Sequence, residues 1–237
     1  MNLIDQTSVL LMARSGSARF KNKNLALFGP DHNKITLLEW KIKQLLQVFP
    51  DQSIILSSDS HEYLDIGSTF NLTLHKRSSN LTDFGSSAEN LRVVAGAANT
   101  DYVFYSNGPC NPLIGPNRIR TFLNFVNRED LEDGVCAVEE LNGHIGFQNS
   151  WLNFEPGENH LGSELLENPF RVVWGLSIRS RAKVISQGSL FSKFDPSYKV
   201  PSWEAVDINY PEDLVIAQSF LDKYANYEQT GIELNQL

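Results

Sequence analysis

The sequence has little of what secreted, membrane-spanning or nucleic-acid-binding proteins depend on. Among 237 residues there are two cysteines, Cys110 and Cys136, too few for a disulfide framework and without a Cys-x-x-Cys metal pattern. No apolar run approaches the roughly 20 residues that span a bilayer, and the first residues lack the features of a signal peptide. Basic residues are outnumbered, 20 against 28, so neither nucleic acid nor a membrane is an expected partner. We therefore expect a cytoplasmic protein whose phosphate sites, if any, are local.

Length and composition predict one globular unit. Hydrophobic residues make up 41% and charged residues 20% of the chain, which are ordinary values for a folded domain. A chain of this length can bury one sizeable core. We predict a single domain over residues 1–237.

Short apolar runs alternate with segments in which apolar residues recur at helical spacing. The apolar runs predict strands at 7–13, 53–58, 71–75, 101–106, 134–138, 170–178 and 203–208. The helical spacing, with a capping box at Ser86–Glu89 and Pro at two helix starts, predicts helices at 34–49 and beginning near 86, 116 and 211. This alternation indicates an α/β fold with a mostly parallel sheet and helices on both faces. Ligands of such sheets bind beyond the carboxyl ends of the strands, here after Ala13, Ser58, Ser106 and Ile208.

The regular pattern breaks between residues 139 and 169. This segment contains several glycines and the aromatic residues Phe147, Trp151 and Phe154, and we interpret it as a hairpin-like excursion from the main sheet. Its aromatic residues have two possible uses, a second small core or a dimer surface.

A basic segment follows the first predicted strand. Arg14, Arg19, Lys21 and Lys23 fall within ten residues, and no Asp or Glu occurs from Gln6 to Pro30. Small residues in such a loop let backbone N–H groups approach a phosphate while the cations neutralise it. A solvated basic face is the alternative. The loop has neither the G-x-x-x-x-G-K-[ST] nor the G-x-G-x-x-G spacing, which disfavours those two nucleotide-binding classes.

The basic loop resembles the R-x-G-S-x-R-x-x-x-K-N signature of the acylneuraminate cytidylyltransferases, which include sialic, pseudaminic and legionaminic acid enzymes. Every fixed letter is present between Arg14 and Asn24. Four later segments resemble motifs of that family and occur in the family's order: 55–59, 77–87, 170–175 and 206–214. The resemblance therefore covers most of the chain. It implies a Rossmann-like nucleotidyltransferase fold, the substrates CTP and a keto-sugar acid, the cofactor Mg²⁺, and a homodimer.

The resemblance also implies a role for individual residues. The triphosphate would be held by Arg14, Lys23 and the backbone of Gly16 and Ser17, and the cytidine part by Asn24, Arg77 and Ser87. Arg171 would reach the sugar, and Asp207 would hold the metal. The residues expected to carry catalysis are Arg14, Lys23 and Asp207. Four of these residues also have a purely structural interpretation. Asn24 could cap a turn, Arg77 could be a surface charge, Ser87 could belong to the capping box, and Asp207 could end a strand.

Two departures from the family pattern bear on activity. In the segment Gly108–Ile114, Gly108 stands where the family has a sugar-contacting Gln, and Ile114 stands where it has an Arg. The amides of Asn107 and Asn111 are therefore the candidate substitutes for sugar binding. The second Asp of the family's D-I-D is Asn209, an uncharged second metal ligand that predicts weaker Mg²⁺ binding.

We expect an enzyme that transfers CMP from CTP to a sialic-acid-like (nonulosonic) keto-sugar acid and releases pyrophosphate. The alternative is a protein that is not an enzyme: a catalytically silent paralogue that binds nucleotide or sugar or serves in assembly. A glycosyltransferase of similar fold is disfavoured, since no Asp-x-Asp occurs in the chain.

Overall fold

The computed structural model describes residues 2–78, 81, 87–107, 109–158, 161–193 and 198–223. The strands are β1 (Thr7–Met12), β2 (Leu27–Phe28), β3 (Ile35–Thr36), β4 (Ile54–Ser58), β5 (Thr73–Lys76), β6 (Tyr102–Ser106), β7 (Val135–Glu140), β8 (Gly146–Phe147), β9 (Ser150–Trp151) and β10 (Phe170–Ser180). The α-helices are α1 (Leu37–Leu46), α2 (His61–Thr69), α3 (Ser87–Gly96), α4 (Pro116–Phe125), α5 (Arg181–Gln187) and α6 (Pro211–Lys223).

Six strands form the central sheet in the order β5-β4-β1-β6-β10-β7. The first four are mutually parallel, and β10 runs antiparallel between β6 and β7. The sheet is therefore mostly parallel, as predicted, and one reversed strand lies near its edge. The loops that follow β1, β4 and β6 lie at one end of the sheet because these strands run in the same direction.

Helices cover both faces of the sheet because successive strand residues point to opposite sides. Val9 and Leu11 of β1 belong to the core that also contains Leu38 of α1 and Phe122 of α4. Leu10 belongs instead to the core on the opposite face, which is formed with α3 and α5. A third cluster joins α6, the β2–β3 hairpin and Trp40 of α1. The predicted α/β fold with helices on both faces is confirmed.

Helix α1 begins where the sequence supplies a capping box. The Thr36 hydroxyl accepts a hydrogen bond from the Glu39 amide, and the Glu39 carboxylate accepts one from the Thr36 amide. Two amides that the helix leaves unpaired are thereby satisfied. Two residues before α1, predicted as helix, instead form β3, which pairs with β2.

One predicted strand is wrong, and two helices were not predicted. Residues 203–208 form turns and irregular backbone, because the Ile208 amide donates to the Cys110 carbonyl and the Asn111 side chain donates to Val206 O, at 2.8 and 3.1 Å. These bonds replace a sheet ladder. Helices α2 and α5, which are only nine and seven residues long, were not predicted.

The excursion is the long connection between β7 and β10. Within it β8 and β9 form a two-stranded hairpin, which confirms the hairpin interpretation. The Trp151 and Phe154 rings meet edge to face, with 5.3 Å between their centroids, yet Phe147 is 61% and Trp151 50% exposed. A small aromatic cluster and an exposed apolar surface therefore coexist there.

No helix within the described ranges is long and apolar enough to cross a membrane. The prediction of a single domain over 1–237 stays a prediction. The predicted capping box at the start of α3 includes Ser86, which lies outside the described residues, as do Asp83 and Gly108 of the family-like segments.

Candidate active site

A cleft of about 730 Å³ opens at the carboxyl ends of the parallel strands. The loop after β1 lines one side, and the ends of β5 and β6 and the segment before α6 line much of the rest. Most of the residues that the sequence singled out line it: Arg14, Ser17, Lys23, Asn24, Arg77, Ser87, Asn107, Asp207 and Asn209. A smaller recess of about 220 Å³ shares Asn107, Asp207 and Asn209 with the cleft and adds Asn111 and Arg171.

The basic loop is held in shape by hydrogen bonds to Asp59 after β4 and by one bond within the loop. Ser15 donates from its amide and its hydroxyl to the two carboxylate oxygens of Asp59, at 2.9 and 2.7 Å. Burial alone would raise the pKa of Asp59, but the two bonds from Ser15, a backbone bond at Asp59 itself and the nearby charge of Arg77 together lower that pKa. Asn24 donates to the Arg14 carbonyl at 3.1 Å. The loop after β1 is thus tied to the end of β4 and closed on itself.

Lys23 is buried at the floor of the cleft. Its ammonium group donates to the Ile208 carbonyl at 2.5 Å and to the Cys110 thiol at 3.0 Å. Burial raises the pKa of the Cys110 thiol, and nearby Lys23 opposes that rise. The lysine therefore connects three loops of the cleft: the loop after β1, the loop after β6 and the segment before α6.

Arg77, at the end of β5, is also buried against the cleft wall. Its guanidinium donates to the Ser57 carbonyl at 3.0 Å. Burial lowers the pKa of Arg77 while nearby Asp59 opposes the change; an arginine nevertheless stays charged in proteins. Ser87 is exposed at the first turn of α3 and also lines the cleft.

An amide bridge links the basic loop to Asp207. Asn209 accepts a hydrogen bond from Arg19 Nη2 at 2.5 Å and donates one to Asp207 Oδ2 at 2.9 Å. This orientation of the amide is the one that satisfies both partners, since arginine can only donate and a carboxylate can only accept. Asp213 accepts from the Asn209 and Tyr210 amides, each at 2.8 Å, which fixes the start of α6.

The two predicted metal ligands differ in availability. Asp207 Oδ1 is buried without a hydrogen-bond partner among the described residues, as expected of an oxygen that awaits a cation. The Asn209 amide oxygen is engaged by Arg19. Within the described ranges, no group of three His, Cys, Asp or Glu side chains could hold a metal. Asp207 would suit a Mg²⁺ ion, whose remaining ligands would be phosphate oxygens and water, and Asn209 would suit it less well.

The smaller recess lies against β10. Arg171 forms an ion pair with Glu139, which is buried on neighbouring β7. Asn111 donates to the Val206 carbonyl, and its own Oδ1 is buried without a partner within the described part of the chain. Gly175 packs so closely on Asn111 that a Cβ there would lie 2.8 Å from that oxygen. Asn111 thus joins two loops as well as lining the recess.

Charge distinguishes the large cleft from the rest of the protein. Among the described residues that line it, four are cationic, Arg14, Arg19, Lys23 and Arg77, and Asp207 is the one carboxylate. The chain as a whole carries a formal net charge of −8. A local concentration of arginine and lysine at a strand-end cleft is suited to a polyphosphate.

The structure brings together every predicted site residue except Gly16. Gly16 lies exposed outside the lining of both cavities, and a Cβ there would meet nothing within 4 Å. Arg19, Tyr105, Cys110, Trp174 and Ser189 line the cleft without having been predicted. For Arg19 the signal was present, because it is a fixed letter of the motif; Ser189 follows α5, which was not predicted.

The fold, with a cation-lined cleft at its strand ends, is that of a nucleotidyltransferase-like protein. The sequence pattern of one family, described as Cytidylyltransferase, matches residues 8–184. The chain belongs to the cytidylyltransferase family, and its activity is that of a CTP-dependent nucleotidyltransferase. Comparison with curated protein sequences gives no significant match.

Several solved structures share the fold at low sequence identity. A CMP:2-keto-3-deoxy-manno-octonic acid synthetase in complex with CTP superposes with a TM-score of 0.63 at 13% identity, covering 93% of this chain and 100% of the other. A cytidylyltransferase from Leptospira borgpetersenii gives 0.58 at 15%, covering 94% and 89%. The bifunctional IspDF from Campylobacter jejuni gives 0.61 at 18%, covering 89% of this chain and 54% of that one. The Rossmann-like nucleotidyltransferase fold is thereby confirmed.

Proposed function

We propose that the protein transfers CMP from CTP to the anomeric hydroxyl of a sialic-acid-like 2-keto-sugar acid. The observation that carries this proposal is the cluster of Arg14, Lys23 and Arg77 around one carboxylate, Asp207, in a cleft that continues into a recess lined by Arg171. The cleft suits a triphosphate and the recess suits a smaller acceptor with an acidic group. The solved synthetase of similar fold is named for a keto-sugar acid, which supports this acceptor class.

In this reaction the acceptor oxygen attacks the α-phosphorus of CTP, a new P–O bond forms, and the bond to pyrophosphate breaks. The hydroxyl proton leaves to solvent or to a bound phosphate oxygen. Negative charge grows on the departing pyrophosphate, so Arg14 and Lys23 stabilise the transition state by position and charge. Asn24, Arg77 and Ser87 would contact the cytidine part, and Asn107, Asn111 and Arg171 the sugar.

Asp207, through the Oδ1 that has no hydrogen-bond partner among the described residues, would hold Mg²⁺, which would supply charge neutralisation at the phosphates when bound. The protein's own part is to keep that oxygen oriented. Asn209 does this by donating to the other oxygen of the same carboxylate. Arg118 and Glu204 form a two-point ion pair, at 2.6 and 2.8 Å, that fastens the segment before Asp207 to α4.

We also propose that two copies associate through the excursion. Large apolar side chains stand exposed along it: Phe147, Trp151, Leu152, Leu161 and Leu165. Monomeric proteins rarely leave such a set uncovered. A symmetric dimer would bury it against its own copy.

The test is pyrophosphate release from CTP with a panel of acceptors, with product masses measured. The panel contains keto-sugar acids of eight and nine carbons, sugar 1-phosphates and phosphorylated polyols. Release with the keto acids alone supports the proposal, and release only with phosphorylated acceptors overturns it. CTP binding without release from any acceptor would instead favour the silent paralogue.

A matched pair of variants checks that the cleft carries the reaction. Lys23→Met should abolish release, because Lys23 lies at the cleft floor. Lys21→Met removes the same charge from an exposed position of the same loop, outside the lining of the cleft, and should have little effect. Equal losses in both variants would contradict the assignment of the site.

A further inference from the structure

We propose that Trp174 is the platform on which the acceptor sugar rests, and that it selects acceptors with an apolar ring face. This inference rests on the proposed function. Trp174 lines both the large cleft and the smaller recess, as do Asn107, Asp207 and Asn209. The junction of the two cavities is where an acceptor in the recess must meet the α-phosphorus of a nucleotide in the cleft.

The strand that carries Trp174 is irregular at this point. Pairing between β10 and β7 shifts between Val173 and Ser177, so that the three residues from Trp174 to Leu176 have no counterpart on β7. Bulges of this kind redirect a side chain and are common beside active sites. Gly175 fits the bulge against Asn111, where a larger residue would collide. The position of the indole is therefore determined by the local backbone.

The indole packs on one aromatic neighbour and stays partly exposed. Its ring packs on Phe191, with centroids 5.6 Å apart and planes inclined by 31°. Trp174 is nevertheless 43% exposed. The exposed part of the indole leaves apolar area in water, which gives up a favourable burial term. Covering it with an apolar ligand surface recovers that term.

A pyranose acid matches this environment. One face of such a ring carries C–H groups, which pack well on the electron-rich face of an indole. Its hydroxyl groups can bond to the amides of Asn107 and Asn111, and its carboxylate can approach Arg171. The cytosine base is the competing occupant, but Arg77 and Ser87, the candidate cytidine contacts, line only the large cleft.

Steady-state kinetics and direct CTP binding separate the two occupants. We expect Trp174→Ala to raise the KM for the acceptor by about tenfold or more, Trp174→Phe to raise it by a few-fold, and both to leave the Kd for CTP unchanged by calorimetry. Phe125→Ala removes an aromatic side chain of the same exposed fraction outside both cavities, and its acceptor KM should equal that of the wild type.

Two results would overturn this inference: a loss of CTP affinity in Trp174→Ala as large as the loss for acceptor, or an unchanged acceptor KM. The outcome is separable from that of the proposed function. If the acceptor panel selects a phosphorylated alcohol, the keto-acid class fails, and the KM for that alcohol in Trp174→Ala still decides whether the indole serves the acceptor.

Discussion

Replacing Asn209 with Asp tests how this site manages charge around Asp207. In the wild type the Asn209 amide donates to Asp207 Oδ2 at 2.9 Å. The substitution removes that donor and places a second carboxylate in its position. Two unit charges 4 Å apart repel by about 4 kcal/mol at an effective dielectric constant of 20. Rotation of the new carboxylate toward Arg19 would relieve much of this repulsion.

We therefore expect two effects of Asn209→Asp. Without Mg²⁺ the free energy of unfolding should fall by about 1.5–3 kcal/mol, the usual contribution of a hydrogen bond to a charged group. With Mg²⁺ the paired carboxylates should bind the metal more tightly, and the Mg²⁺ concentration at half-maximal rate should fall roughly tenfold, which corresponds to about 1.4 kcal/mol. The maximal rate need not change, since tighter binding alters occupancy more than chemistry.

The assay is a Mg²⁺ titration of turnover and of thermal unfolding in the wild type, Asn209→Asp and Asp207→Asn. Asn99→Asp is the control, because it adds the same charge at an exposed position before β6, at the opposite end of the sheet from the cleft. Asp207→Asn should abolish turnover. Identical Mg²⁺ dependence in the wild type and Asn209→Asp, or activity that survives Asp207→Asn, would refute the placement of the metal.

Three further predictions concern the nucleotide, the dimer and a buried lysine. CTP at 100 times its Kd should stabilise the protein by about 2.7 kcal/mol, and equal stabilisation by ATP at matched concentration would contradict a pyrimidine-specific cleft. Trp151→Asp should convert a dimer to monomers in sedimentation, because it places an unpaired charge in an apolar interface; a monomeric wild type would contradict the proposed interface. Burial lowers the pKa of Lys41 to about 7 in the folded protein, whereas an unfolded lysine has a pKa of about 10.4. Between these two pH values the Lys41 amine carries a proton in the unfolded chain but not in the folded one. As the pH rises across that window, the free energy of unfolding of the wild type should increase by up to about 1.4 kcal/mol per pH unit relative to that of Lys41→Met. Denaturant titrations that give the same pH dependence for both proteins would show that Lys41 is not desolvated.

The hydrophobic pattern alone determined most of the sheet. Strands such as β1 and β6 are apolar runs buried on both faces. The first helix was also predicted, but its start was placed at residue 34, ahead of the capping box at Thr36 and Glu39 that begins α1. The basic loop was equally visible, since the absence of acids from Gln6 to Pro30 needs no structure to be recognised. Local composition specifies such elements because strand burial and helix capping depend on neighbouring residues.

Tertiary structure decided what local pattern could not. Residues 203–208 read as a strand, but side chains and loops distant in sequence satisfy their backbone groups, and only the folded chain brings Asn111 and Cys110 to them. The bridge from Arg19 through Asn209 to Asp207 joins residues about 190 positions apart, and Trp174 reaches the junction of two cavities through a bulge in the pairing of β10 with β7. Sequence thus specified the elements and the charged loop, whereas the shape and charge pairing of the site arise from contacts between segments that meet only when the sheet is assembled.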